Sequence, residues 1–194
     1  MPEAGIRLEG PVFRSHKPTY SYLPLSGEGA ARYGGRFNEP GRRALYLSGD
    51  QITAILESTQ GQRPMPPRTL IEYHLDCEDI LDARRDDFDT WAALEDAGID
   101  PMTGGATELG GLAWEAIEAD GGRPKSWDLA ENLIEAGYAG MIAPSYLTET
   151  AADAWNVVLW DWGFTGPHRI RPNDPHGDLP KDASSWNPLG QPVL

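Results

Sequence analysis

The sequence predicts an α+β fold built around a single main domain, and three observations carry that expectation. Strand-like and helix-like segments are interspersed along the chain without an internal repeat. The turns between strands carry hairpin signals, as in Asn38-Glu39-Pro40-Gly41, where a doubly wound sheet would show regular helical crossovers. A length of 194 residues with 40% hydrophobic and 9% aromatic side chains suffices for one core and falls short of two. The domain is expected to span 1–171; from 172 to 194 the chain is rich in Pro, Asp and Gly and reads as an irregular tail.

The elements follow from local pattern. "PVFRSH" (11–16) and "ALYLS" (44–48) read as strands, and the turn before the second suits type II geometry, with Pro40 at its second position and Gly41 at its third. "GDQITAILESTQ" reads as a helix capped by Asp50, with Ile52, Ile55, Leu56 and Thr59 along one face. "TLIEYHLDC" alternates, with Ile71, Tyr73 and Leu75 on one side and Leu70, Glu72 and His74 on the other, as a half-buried strand does. Helices are expected at 89–97, 108–119 and 127–136, the last closed by Gly137. "YAGMIAP" and "AWNVVLWDW" read as buried strands and "HRIRP" as a short edge.

Composition narrows the function classes. A net charge of −14 argues against direct nucleic-acid binding, which needs a basic surface. No apolar run approaches the roughly 20 residues that span a bilayer. "MPEAGIRLEG" shows no basic segment followed by an apolar stretch, and Cys77 is the single cysteine; together they point to a reducing cytoplasm, with Cys77 as a buried small hydrophobe. The charge is unevenly spread. Residues 1–43 hold seven basic against four acidic side chains, and the remaining 151 hold nine against 26. The N-terminal fifth is therefore the natural place to receive a small anion, unless its arginines pair with the acidic surface elsewhere.

Several patterns carry no chemistry. "GEGAARYGG" (27–35) has Arg32 where a dinucleotide fingerprint needs Gly or Ala, and no strand leads into it. In "HLDCED" (74–79) strand alternation sends neighbours to opposite faces, so no metal site is expected. The Trp-rich "WNVVLWDW" reads as a core strand ahead of a sugar-stacking platform, and His168 and His176 as solvated side chains.

The segment from Arg36 to Glu57 is richer. If Leu45 and Leu47 face the core, Tyr46 stands on the opposite face of its strand. At 100° per residue, Glu57 lies about 150° from the centre of the Ile52–Ile55–Leu56 stripe, which alone describes a solvent-facing glutamate. The whole of "GEGAARYGGRFNEPGRRALYLSGDQITAILE", with "FRSH" upstream and "APS" (143–145) and "NVVLW" (156–160) downstream, closely resembles the RES-domain toxins, which are partnered with Xre-type antitoxins in bacterial type II toxin–antitoxin operons. The resemblance extends from residue 7 to 162. It implies that Arg36 is the family's Arg, Tyr46 its active-site Tyr, Glu57 its Glu and Ser145 its Ser, with Arg14 a further pocket arginine and Asn156 a weaker candidate. Phe37 for a more usual Trp, and "AILE" for Ala-Leu-Ala-Glu, are mild departures.

The same resemblance implies an ADP-ribosyltransferase-like split β-sheet around an NAD cleft, with NAD as substrate and no metal. It implies cleavage of the nicotinamide–ribose bond and passage of ADP-ribose to a protein, to water or to phosphate, with a hetero-oligomer formed with the antitoxin. Glu57 would stabilise the oxocarbenium character at the ribose. Arg36 and Arg14 would hold the pyrophosphate, Gly35 would let the backbone approach it, Tyr46 would stack on nicotinamide or its ribose, and Ser145 would hydrogen-bond the substrate. The alternatives are a non-catalytic nucleotide- or partner-binding protein on the same fold, and a carbohydrate-binding module using the seven Trp.

Overall fold

Five strands close into a ring and a sixth lies along its edge. β1 (Ile6–His16) runs antiparallel to β3 (Thr69–Asp82), from Ile6 opposite Ile80 to His16 opposite Thr69. β2 (Leu45–Ser48) pairs antiparallel with β5 (Trp155–Leu159), which pairs antiparallel with β4 (Gly140–Pro144). Two seams join these groups. β3 and β4 run parallel from Ile80 opposite Gly140 to Asp82 opposite Ile142, and β1 meets β2 at the single pair Phe13–Ser48. β6 (His168–Pro172) lies antiparallel on the remaining edge of β3. The structure, a computed structural model, describes residues 2, 5–60, 64–84, 95, 117–147 and 149–186.

The α+β class holds, and the architecture is a closed barrel. The expectation of a split sheet meets a single ring made of the pair β3–β1 and the trio β2–β5–β4, joined at the two short seams, with β6 added along β3. The length of β3 makes this possible. One edge serves β1, while the other serves β6 over residues 73–77 and β4 over 80–82. Asp79, at φ 58°, marks the irregularity where the partner changes.

Alternation decides the two faces. Val12, Leu45, Leu47, Tyr73, Val157 and Ile170 point into the ring and are buried there. Cys77 is among them, and burial pushes its thiol up to about 12, so it is an inert packing group. On the outer face Met141, Ala143 and Val158 meet a helix, α3 (Lys125–Glu135), through Leu129, Ala130 and Leu133. Burial of side chains of this size contributes about 1.5–3 kcal/mol each.

The other helices of the described residues are α1 (Glu28–Tyr33) and α2 (Gln51–Thr59), with a helical turn at 117–119. The region expected at 89–97, apart from residue 95, which is helical, and all but the end of that at 108–119, lies outside the described residues. The third expected helix is α3, closed by Gly137 N–H donating to Ile134. The type II turn is present, Arg42 N–H donating to the Glu39 carbonyl across Gly41 at φ 98°.

Three elements differ from the reading of the sequence. β1 begins at Ile6 rather than Pro11, because the far end of β3 offers it a partner. The short α1 was not anticipated, since its glycines argue against a helix. It is held from outside, by Asn38 donating to the Ala30 carbonyl. The third is α2: Asp50 caps it as expected, accepting from Thr53 N–H at 2.9 Å, yet its buried face is Thr53, Ala54 and Thr59, and Ile52 is 69% exposed. The small residues let the helix settle closely on β1, where Ser58 donates to Ser15 at 2.8 Å. Glu57, three and four residues after Ala54 and Thr53, is thereby turned onto the inner, partly buried side.

The tryptophans after β5 are spoken for. The indole of Trp160 donates to the Phe37 carbonyl and that of Trp162 to Leu25. They are ties between β5 and the loops that precede β2. Beyond β6, Leu179 packs against the ring interior, and the Asp174 carboxylate accepts from the N–H groups of Asp178 and Leu179.

Candidate active site

The loop from Gly34 to Arg42 is built around a buried amide. Asn38, 1% exposed, spreads its two amide hydrogens over the carbonyls of Ala30, Glu39 and Arg42, at 2.9, 3.2 and 3.0 Å. Its Oδ1 accepts from the Tyr46 hydroxyl at 2.7 Å, and that hydroxyl accepts from Phe37 N–H at 3.0 Å. Position 35 must be glycine: a Cβ there would stand 2.7 Å from both Asn38 Oδ1 and the Tyr46 oxygen. The carbonyls on either side of Arg36 are held by indoles, Gly35 by Trp127 at 2.8 Å and Phe37 by Trp160 at 2.9 Å.

This cradle presents Arg36, whose guanidinium lies 5.0 Å from the centre of the Tyr146 ring. No carboxylate pairs with it among the described residues. Arg7, Arg43, Arg84, Arg123 and Arg169 engage Asp or Glu, whereas Arg14, Arg68 and Arg171 donate to carbonyls.

Tyr146 follows directly on Ser145, and Ser145 belongs to the second half of the site. Its hydroxyl donates to Glu57 Oε1 at 2.8 Å, and the Asn156 amide donates to the same oxygen at 2.6 Å. Oε2 has no hydrogen-bond partner among the described residues. Asn156 is fixed in turn by Ser48, whose hydroxyl donates to Oδ1 at 2.6 Å. The Thr150 hydroxyl lies 3.1 Å from Ser145 Oγ and 2.7 Å from the Leu147 carbonyl. A carboxylate with one oxygen anchored by two donors and the other open can accept from a ribose hydroxyl or face a developing positive charge.

The residues singled out in the sequence are therefore distributed as follows. Glu57, Ser145 and Asn156 are in direct contact, and Arg36 lies over the ring of Tyr146, the residue that follows Ser145. Gly35 and Tyr46 form the seat of Arg36. Tyr46 is on the outer face as expected, but its hydroxyl is engaged within the loop, and burial raises its pKa, only partly offset by Phe37 N–H and the Arg36 charge. It remains a neutral phenol. Arg14 is elsewhere: it projects from the other face of β1 than Phe13 and Ser15, donates to the carbonyls of Pro24 and Ser26, and lies near Tyr73 of the ring interior. Burial lowers its pKa. Ser48, Thr150 and Tyr146 were not singled out. Ser48 shared a strand face with Tyr46, which was a signal; Thr150 and Tyr146 gave none.

His16 sits near Arg14 and Arg68, its Nε2 buried without a partner. Burial first, then those two charges, push its pKa down to about 4. The unfolded chain takes up a proton at the ordinary 6.5, which the folded chain refuses. Stability is therefore full above pH 6.5 and lost as pH falls toward 4, by about 2 kcal/mol for a partly exposed group. His16→Gln is expected to flatten this limb of the stability curve, measured by urea unfolding.

A hollow of about 520 Å³, bounded by Asp50, Ile52, Thr53, Asp153 and Trp155, opens at the N-terminal end of α2, and Glu57 does not line it. Among the described residues no cluster of His, Cys, Asp and Glu could hold a metal ion, and no helix is long and apolar enough to cross a membrane.

Fold and site together define a small α+β barrel protein with an anchored carboxylate and an unneutralised arginine on its outer face. The chain belongs to the RES domain family, which matches residues 11–182. A solved structure of similar fold is a chain of the M. tuberculosis MbcT–MbcA toxin–antitoxin complex, with a TM-score of 0.50 and 18% identity over 87% of this chain and 84% of that one. No curated protein matches the sequence significantly.

Proposed function

We propose that this protein is the toxin of a bacterial type II toxin–antitoxin pair, acting in the cytoplasm by cleaving the nicotinamide–ribose bond of NAD, with an ADP-ribosyltransferase-like active site. The observation that carries this reading is Glu57: Ser145 and Asn156 hold one oxygen, the other is open, and Arg36 stands nearby without a carboxylate partner.

The chemistry suits these residues. Nicotinamide leaves its cationic N-glycoside as a neutral amine, so departure requires no general acid. What needs stabilising is positive charge at the ribose, and a fixed carboxylate supplies this without reorganising. Arg36 binds a pyrophosphate oxygen pair through its planar fork. Tyr46 holds the loop that carries Arg36, and its ring stacks on nicotinamide or its ribose. Arg14, with a guanidinium nitrogen on two carbonyls, serves the pyrophosphate only by exchanging those contacts. ADP-ribose then passes to a protein, to water or to phosphate. Similarity in fold to a chain of a toxin–antitoxin complex supports an antitoxin partner, here an Xre-type protein covering the 14–46 region in a hetero-oligomer. The catalytic unit is residues 1–171.

The test is to incubate the purified protein with NAD, with and without phosphate and cell lysate, and to follow growth of bacteria expressing the wild type, Glu57→Gln or Arg36→Ala. Release of nicotinamide, with growth arrest by the wild type alone, is expected, relieved by the co-expressed antitoxin. Intact NAD, or equal toxicity of all three, would overturn the reading and leave a non-catalytic nucleotide- or partner-binding protein.

A further inference from the structure

We infer that Ser48 is a positioning residue for Glu57, acting only through Asn156; the inference rests on the catalytic reading of Glu57 above. Ser48 is the last residue of β2 and Asn156 its register partner on β5, so both side chains stand on the outer face of the ring. Ser48 is 4% exposed, and its hydroxyl donates to Asn156 Oδ1 at 2.6 Å. Asn156 Nδ2 then donates to Glu57 Oε1 at 2.6 Å.

The direction of this chain is fixed at both ends. A carboxylate only accepts, so the amide must turn its NH₂ toward Glu57, and the opposite oxygen then needs a donor. Ser48 is that donor. Linked bonds of this kind also polarise one another, so a firm acceptor bond at Oδ1 strengthens the donor bond at Nδ2.

The backbone enforces the arrangement. Gly49 N–H donates to the Trp155 carbonyl at 3.0 Å, and a Cβ at position 49 would lie 2.2 Å from Cε2 of the Trp155 ring. The absence of a side chain there lets the end of β2 close on β5, which leaves Ser48 directly over Asn156. Without the hydroxyl, Asn156 would hang on Glu57 alone, and the carboxylate would lose the rigidity of one of its two anchors.

The experiment is a double-mutant cycle with a spectroscopic arm. Ser48→Ala is expected to lower kcat for NAD cleavage about tenfold with KM within about twofold, because the carboxylate's orientation matters most in the transition state. Ser48→Thr, which keeps the hydroxyl, should restore most of the loss. In an Asn156→Ala background, Ser48→Ala should have no further effect. A full tenfold loss in that background, or an unchanged kcat in the single variant, overturns the proposal. The side-chain amide resonances of Asn156, read by NMR, give a measure independent of turnover. One strongly hydrogen-bonded, slowly exchanging proton is expected in the wild type and in Ser48→Thr, and a weaker, faster-exchanging one in Ser48→Ala. If the wild type leaves NAD intact, the catalytic reading falls while this signature still decides whether Ser48 positions Asn156; an unchanged signature in Ser48→Ala overturns it in either case.

Discussion

Glu57→Gln is expected to leave the protein folded and to lower NAD cleavage at least about a hundredfold, the scale of losing one electrostatic partner of the transition state. The substitution isolates charge from shape. A glutamine carbonyl at the position of Oε1 can still accept from Ser145 and Asn156, so both anchors survive. Only the unbonded oxygen is replaced, by an NH₂ that donates where a carboxylate would attract positive charge. The melting temperature should stay within a few degrees of the wild type, while nicotinamide release measured under saturating NAD collapses. Turnover near the wild-type rate would remove Glu57 from the chemistry and leave its contacts as structural ones.

Asn38→Ala should have the largest effect on stability. It removes a buried amide that serves three carbonyls and the Tyr46 hydroxyl at once; the carbonyls of Ala30 and Glu39 keep the N–H groups of Gly34 and Arg42, while the Arg42 carbonyl and the Tyr46 hydroxyl lose the partner that Asn38 gives them. Each buried polar group left unsatisfied costs about 1–3 kcal/mol, and partial relaxation of the loop gives a loss of roughly 3–5 kcal/mol overall. For a protein of this size that is a fall of some 10 °C in Tm, measurable by calorimetry. The same change should weaken NAD binding, because Arg36 is presented by the loop that Asn38 holds. Asn38→Asp is a useful companion: it keeps the acceptor for Tyr46 and loses the donors, so it separates the two halves of the amide's work. A variant as stable as the wild type would show that the Arg42 carbonyl and the Tyr46 hydroxyl find other partners.

What the sequence disclosed and what it hid divide along a physical line. Leu45, Leu47, Ile71, Tyr73 and Leu75 alternate with polar neighbours, and the period of two was enough to assign their faces. Membership of the RES family was legible because glycines, an aromatic residue, Asn38 and the turn at Pro40-Gly41 form a contiguous pattern. The register of α2 was not legible. Its isoleucines suggested a buried stripe, yet the helix buries Thr53, Ala54 and Thr59, because its fit against β1 favours small side chains over apolar ones. The contacts of Glu57 escaped for the same reason: they depend on where β4 and β5 deliver Ser145 and Asn156. Closure of the ring was hidden too, since β1–β2 is one residue pair and β3–β4 only three.

The three indole ties also bear on how the protein is made. Trp127, Trp160 and Trp162 reach back 92, 123 and 137 positions to Gly35, Phe37 and Leu25, and Glu57 waits for partners 88 and 99 positions downstream. At about 5–20 residues per second, a ribosome needs on the order of ten seconds after Arg36 before Trp162 emerges. Throughout that interval the arginine loop lacks its last fastenings and the carboxylate lacks its anchors. On the proposed catalytic reading, the site is therefore incomplete until Asn156 and Trp162 have been made.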